Sequence, residues 1–234
     1  MRSDVTVHFH DHDGWTPLSR AAYAGHEEVV KLLLRETGID ADCKDIFARS
    51  SLIWAAKEGH DMVLELLALR MDVDVNSIYH LGRSALSWAA ANRHGRAVEL
   101  LFTRRDLIFS HRDNDGQTPL ILAAVEGHTR IVKILVECGG AEINGQDQQG
   151  QTALLCAARE RTRVSVQTIS RPNEVEADAR DRLGRTALLW AAKGGHEGID
   201  INGETPLIWA SRRNHMGVAN LLRETLAKSH GYQV

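Results

Sequence analysis

Apolar residues in this chain recur in short bursts on a fixed long period. Leu18, Leu52, Leu86, Leu120, Leu154 and Leu188 stand 34 residues apart, and Leu207 follows after only 19. The first segments around them read "GWTPLSRAAYAGHEEVVKLLL" and "ARSSLIWAAKEGHDMVLELLA". Just before each apolar stretch stands a hydroxyl residue: Thr16, Ser50, Ser84, Thr118, Thr152, Thr186 and Thr205. Such a side chain can cap a helix N-terminus. Pro17, Pro119 and Pro206 occupy the next position, where the first turn of a helix tolerates proline. The spacing predicts a short helix over 17–24, a Gly-His turn at 25–26, and a second helix with Val29, Val30, Leu32 and Leu33 on one buried face. The polar stretch "GIDADCKDIFAR" that ends the unit reads as an extended loop or hairpin.

The recurring pattern D-x-x-G-x-T-P-L-x-x-A-A-x-x-G-H-x-x-V-V-K-L-L-L resembles the ankyrin repeat. It runs over roughly residues 4–228 in seven copies. The resemblance implies an all-α solenoid of helix-turn-helix units with short β-hairpin loops. It places a single array over 1–230, with units at about 11–44, 45–78, 79–112, 113–146, 147–180, 181–199 (truncated) and 200–228, and a tail at 229–234. Trp before the paired Ala, and one extra loop residue per unit, is similar to arrays of large fungal multidomain proteins. There such arrays often follow NACHT-type or heterokaryon-incompatibility-type effector domains. One departure is the absence of the family's T-P-L-H histidine, replaced throughout by Ser, Ile or Leu. The inter-turn hydrogen bonds of that histidine are not expected here.

The short step from Leu188 to Leu207 leaves unit six 15 residues short of the 34-residue period. Matching "GGHEGIDINGETPL" to the other units places the loss in the second helix of unit six and most of its hairpin. A deletion, splicing change or gene-model error accounts for it better than a purpose-built notch. Unit five offers Ser165, Val166, Thr168 and Ile169 where a second helix should be rich in leucine, and Pro172 follows. β-Branched residues favour helix poorly, so units five to seven are expected to be the least stable. The opening "DVTVHFHD" matches the tail of a preceding unit, which suggests a piece of a longer array.

Composition narrows the chemistry. A net charge of -3 gives no reason to expect nucleic acid or an anionic membrane as partner. No apolar run reaches the roughly 18 residues of a membrane-spanning helix, and the start lacks a signal-peptide core. Cys43, Cys138 and Cys156 are an odd, widely spaced set that reads as reduced thiols in a cytoplasmic or nuclear protein. No phosphate-cradling loop, HExxH or nucleophile constellation is present, so no catalytic residue, cofactor or metal site is assigned. His26, His60, His94, His128, His196 and His215 share one phase and read as structural turn residues. The cluster His8, His10, Asp11 and His12 offers only adventitious metal binding.

Trp54, Trp88, Trp190 and Trp209 also share a phase, two residues after the aligning leucine. At about 100° per residue they point away from the leucine and alanines that meet the second helix. Arg20, Leu122 and Cys156 fill the same phase elsewhere. The resemblance puts this side on the concave groove, where large aromatics are favoured contact residues. Trp15, Phe47, Arg49, Arg83, Asp115, Gln117, Gln149 and Arg185 at the hairpin tips complete a candidate partner-binding surface with Trp54, Trp88, Leu122, Trp190 and Trp209. The competing reading makes the indoles framework that packs only against neighbouring helices. The expected function is a monomeric, non-catalytic protein-interaction scaffold. The alternative is a regulatory or structural fragment of a larger effector, with no independent activity.

Overall fold

The computed structural model describes residues 9–138, 140–160, 162–170 and 175–193. Among them eleven helices alternate in pairs: α1 (Pro17–Ala24) with α2 (Glu27–Leu33), α3 (Ser51–Glu58) with α4 (Asp61–Ala68), α5 (Ala85–Ala91) with α6 (Gly95–Leu101), α7 (Pro119–Val125) with α8 (Thr129–Glu137), α9 (Ala153–Arg159) with α10 (Arg163–Ile169), and α11 (Ala187–Lys193). First helices pack on first helices, α1 on α3 and so on to α11, while α2, α4, α6, α8 and α10 form a second row. This is the all-helical solenoid that the 34-residue period implies. None of these helices is long and apolar enough to cross a membrane.

The local chemistry follows the repeat. Thr16, Ser50, Ser84, Thr118 and Thr152 each accept a hydrogen bond from the amide three residues on. In unit one Ser19 returns the favour to the Thr16 amide, closing a capping box. Leu18, Leu52, Leu86 and Leu120 are buried between the rows, with Leu64, Leu67, Leu101 and Leu135 from the second helices. One apolar core thus runs along the stack.

Three of the phased histidines, His60, His94 and His128, are clamps between units. His60 Nε2 lies 2.9 Å from the Tyr23 carbonyl oxygen, His94 Nε2 3.0 Å from that of Lys57, and His128 Nε2 2.8 Å from that of Ala91. Each ring therefore satisfies a carbonyl at the end of the preceding first helix, a group that helix geometry leaves without a partner. Gly59 makes room for this, since a Cβ there would sit 2.3 Å from the His94 ring. Unit five, which has Thr162 in place of histidine, turns its hydroxyl back onto the Ala157 carbonyl.

Two expectations change. The hairpins are minimal: the described residues show isolated antiparallel bridges at Lys44–Ser50 and Ile78–Ser84, and no extended strand. Tips are instead tied unit to unit by backbone bonds, such as the Ile46 amide to the Asp13 carbonyl at 3.1 Å and the His80 amide to that of Phe47 at 3.1 Å. In α2 only Val30 is buried, while Val29 and Leu32 are exposed. Of their counterparts in later units, Val63 and Leu100 are buried and Leu66 is half-buried; α4 and α6 pack on the second helix before them, which α2 does not have among the described residues. Unit five forms its second helix, α10, where the Ser165 hydroxyl meets Thr129 Oγ1 at 3.1 Å and Thr168 Oγ1 donates to the Val164 carbonyl at 2.8 Å. Packing overrides weak propensity there. The shortfall in unit six, unit seven, His196, His215 and Trp209 lie outside the described residues.

Candidate partner-binding face

Among the described residues, every turn that leads into a first helix, except in unit three, is built on an aspartate. Asp45 Oδ1 accepts from the amides of Phe47 and Arg49, both at 2.9 Å. Asp11, Asp113, Asp147 and Asp181 make the same pair of bonds to their own turns. The second oxygen is then available for a cation. Arg49 Nε reaches Asp45 Oδ2 at 2.7 Å, and Arg185 Nε reaches Asp181 Oδ2 at 2.7 Å. In unit three Tyr79 takes the aspartate's place, and Arg83 reaches forward to Asp113 Oδ2 at 3.0 Å. Burial pushes the Asp181 carboxyl up, but the Arg185 and Leu183 amides and the Arg185 guanidinium outweigh it and hold it below its ordinary value.

These anchored guanidinium groups lie over the phased indoles. Arg49 Cζ is 4.2 Å from the Trp54 ring centre, Arg83 Cζ 5.3 Å from Trp88, and Arg185 Cζ 4.3 Å from Trp190. Trp15 stacks on Trp54 with centroids 4.6 Å apart and planes 22° apart. Tyr23 meets both rings edge-on, and Arg20 covers Trp15 at 4.3 Å. Lys57 Nζ bridges the units, 4.9 Å from Trp54 and 5.3 Å from Trp88. The result is one continuous layer of cations and aromatic rings across units one to three. Each such contact contributes roughly 0.5–1 kcal/mol where it is exposed and more where water is excluded.

The layer stops after unit three. Leu122 and Cys156 take the indole position in units four and five and are buried. Gln117 and Gln151 take the arginine position. Gln151 Oε1 turns to Arg159 at 3.2 Å, which leaves Asp147 Oδ2 buried without a hydrogen-bond partner. Burial also pushes the Cys156 thiol up to about 12.

The structure thus brings together Trp15, Phe47, Arg49, Trp54, Arg83 and Trp88, and separates from them a polar group of Asp115, Gln117 and Gln149. Leu122 lies beneath the surface, and Arg185 lies over Trp190 in unit six, away from this group. Trp54 is only 4% exposed, because Trp15, Tyr23, Arg49 and Lys57 cover it. What the face presents outward is the cations and the exposed rings of Tyr23 and Phe47. Sequence reading had not placed Tyr23 or Lys57 on it. Both stand five residues after the aligning leucine, a phase that aligning the units exposes. The i, i+4 spacing in "DIFAR" and "DRLGR" likewise marks the Asp-Arg pairs. Of the histidine-rich run, Asp11 is committed to its turn and to Arg20, and His10 Nδ1 lies 3.8 Å from Cys43 Sγ. His8 lies outside the described residues.

A family model described as ankyrin repeats (3 copies) matches residues 2–79, 52–147 and 86–173. A second model, described as ankyrin repeat, matches residues 202–227. No curated protein matches the chain.

Proposed function

Because the chain belongs to the ankyrin-repeat family, whose repeats mediate protein–protein interaction, we propose that it is a non-catalytic scaffold that holds a protein partner on its concave face. The observation that carries this reading is the continuous layer from Arg20 to Arg83, which joins three units into one surface. Its rings are pre-packed, so a partner need not order them on binding, and the entropic cost of association falls. The exposed rings of Tyr23 and Phe47 and the neighbouring cations are the contact groups. Trp15, Trp54 and Trp88 support them from below. This combines both sequence readings: the indoles are framework, and the framework makes the surface. The protein acts as a cytoplasmic or nuclear monomer, without nucleic acid.

The test is capture from cell extract by the whole chain. A Tyr23→Ser, Phe47→Ser variant should lose the captured protein, whereas Met62→Ser, Leu69→Ser, which alters exposed apolar groups of the second-helix row and the residue after it, should keep it. Equal capture by all three would place binding elsewhere. Capture by none would favour a segment that works only within a larger multidomain protein.

A further inference from the structure

We infer that the face of units one to three takes an acidic, extended segment of the partner; this rests on the concave-face reading above. The first support is the layering of charge. In the Arg49–Asp45 pair the arginine side chain is 20% exposed and the carboxylate 0%, and in Arg83–Asp113 the values are 24% and 2%. The buried carboxylates are also saturated, each having given one oxygen to two turn amides. What faces outward is therefore cation and N–H donor, with the compensating charge held underneath. Arg20 and Lys57 extend the row, paired with Asp11 at 2.6 Å and Glu58 at 3.4 Å near the surface. Exposed pairs of that kind are weak and screened, so an incoming carboxylate can share their cations.

The second support is the exposed apolar row at the tips, Ile46, Phe47 and Leu81, which suits a segment that alternates acidic with apolar side chains. In units four and five the pattern changes: Gln117 and Gln151 replace the arginines, Asp115 and Gln149 replace Phe47 and Leu81, and Asp147 carries the orphaned carboxylate oxygen. Units four and five thus interrupt the cationic layer, and the acidic segment is assigned to the continuous stretch over units one to three, although the Arg185–Asp181 pair recurs in unit six. Electrostatic matching of this kind sets specificity and register more than raw affinity.

The experiment pans a random displayed dodecapeptide library on the immobilised whole chain and sequences the recovered pool, with a single-stranded oligonucleotide as a competing probe. The pool should be enriched about twofold or more in Asp and Glu over its input. Recovered peptides, followed by fluorescence anisotropy, should bind about tenfold more weakly to an Arg20→Gln, Lys57→Gln variant and on raising salt from about 50 to about 300 mM. That variant leaves both buried Asp-Arg pairs intact, so loss of folding does not explain the result. A neutral or basic pool, no enrichment, or oligonucleotide binding in place of acidic peptides overturns the inference. Neutral peptides that still fail on the Tyr23→Ser, Phe47→Ser variant would sink the acidic preference and leave the scaffold reading standing. Acidic peptides indifferent to both variants would sink both.

Discussion

Ala48 holds a backbone conformation that glycine holds at the same turn of the other described units. Its φ is 63°, at the turn position where Gly14, Gly82, Gly116, Gly150 and Gly184 have φ between 72° and 77°. A left-handed conformation costs an L-residue roughly 1–2 kcal/mol, and glycine gives back about 0.5–1 through chain entropy. Ala48→Gly is therefore expected to raise stability by up to about 1 kcal/mol, read as a higher urea midpoint at unchanged slope. The unpaired oxygen of Asp147 offers a second repair. Gln151→Arg recreates the i, i+4 geometry of Arg49 with Asp45 and Arg185 with Asp181. It should stabilise the chain by roughly 1 kcal/mol or more, because a buried acceptor left unmade is costly. An unchanged midpoint would show that Asp147 already has water for company. The Asp-Arg pairs were legible as spacing, but the orphan was not. It depends on which way Gln151 turns, and that is decided by Arg159 in the following helix.

At the scale of helices, the sequence named most of the design and misjudged the burial of Val29 and Leu32 in α2. Caps, first helices and the Gly-His turn follow from residues a few positions apart, so the 34-residue alignment exposes them directly. Missing from it was what the histidines bond to, since the acceptor lies 37 positions away in the preceding unit. Helix α10 carries β-branched residues and makes hydroxyl contacts that propensity does not count. The clamp makes a direct prediction. His94→Ala removes the bond to the Lys57 carbonyl and the ring that lies against Gly59. It should cost at least about 1 kcal/mol in chemical denaturation. A loss below the usual scatter of surface substitutions would mean the ring only fills space.

For the whole molecule, stability is a sum over units and the contacts between neighbours, and several of those contacts carry charge. Hydrogen bonds from arginine hold Asp11, Asp72, Glu99 and Asp106 below their ordinary values, through Arg20, Arg70, Arg130 with Arg96, and Arg104 respectively. Carboxyls depressed in the folded state contribute stability above their unfolded value, and that contribution is lost as pH falls through the folded one. Asp42, pushed up by burial, works in the opposite sense. With Asp181 also held low by its own turn amides and Arg185, five described carboxyls are depressed and one is raised, so the melting temperature should fall as pH drops from about 5 toward about 2; a flat profile would mean that these pairs are too screened to count. The period and the two helical rows were readable from sequence alone. The layer of rings and cations was not, because its members come from different units and meet only once the stack closes. The most direct test of its role is hydroxyl-radical footprinting of the whole chain with and without a captured partner. Tyr23, Phe47 and Leu81 should lose reactivity on binding, while exposed Met62 and Met71 keep theirs. Protection of Met62 and Met71, with Tyr23 and Phe47 unchanged, would put the partner on the other side of the stack and contradict the account.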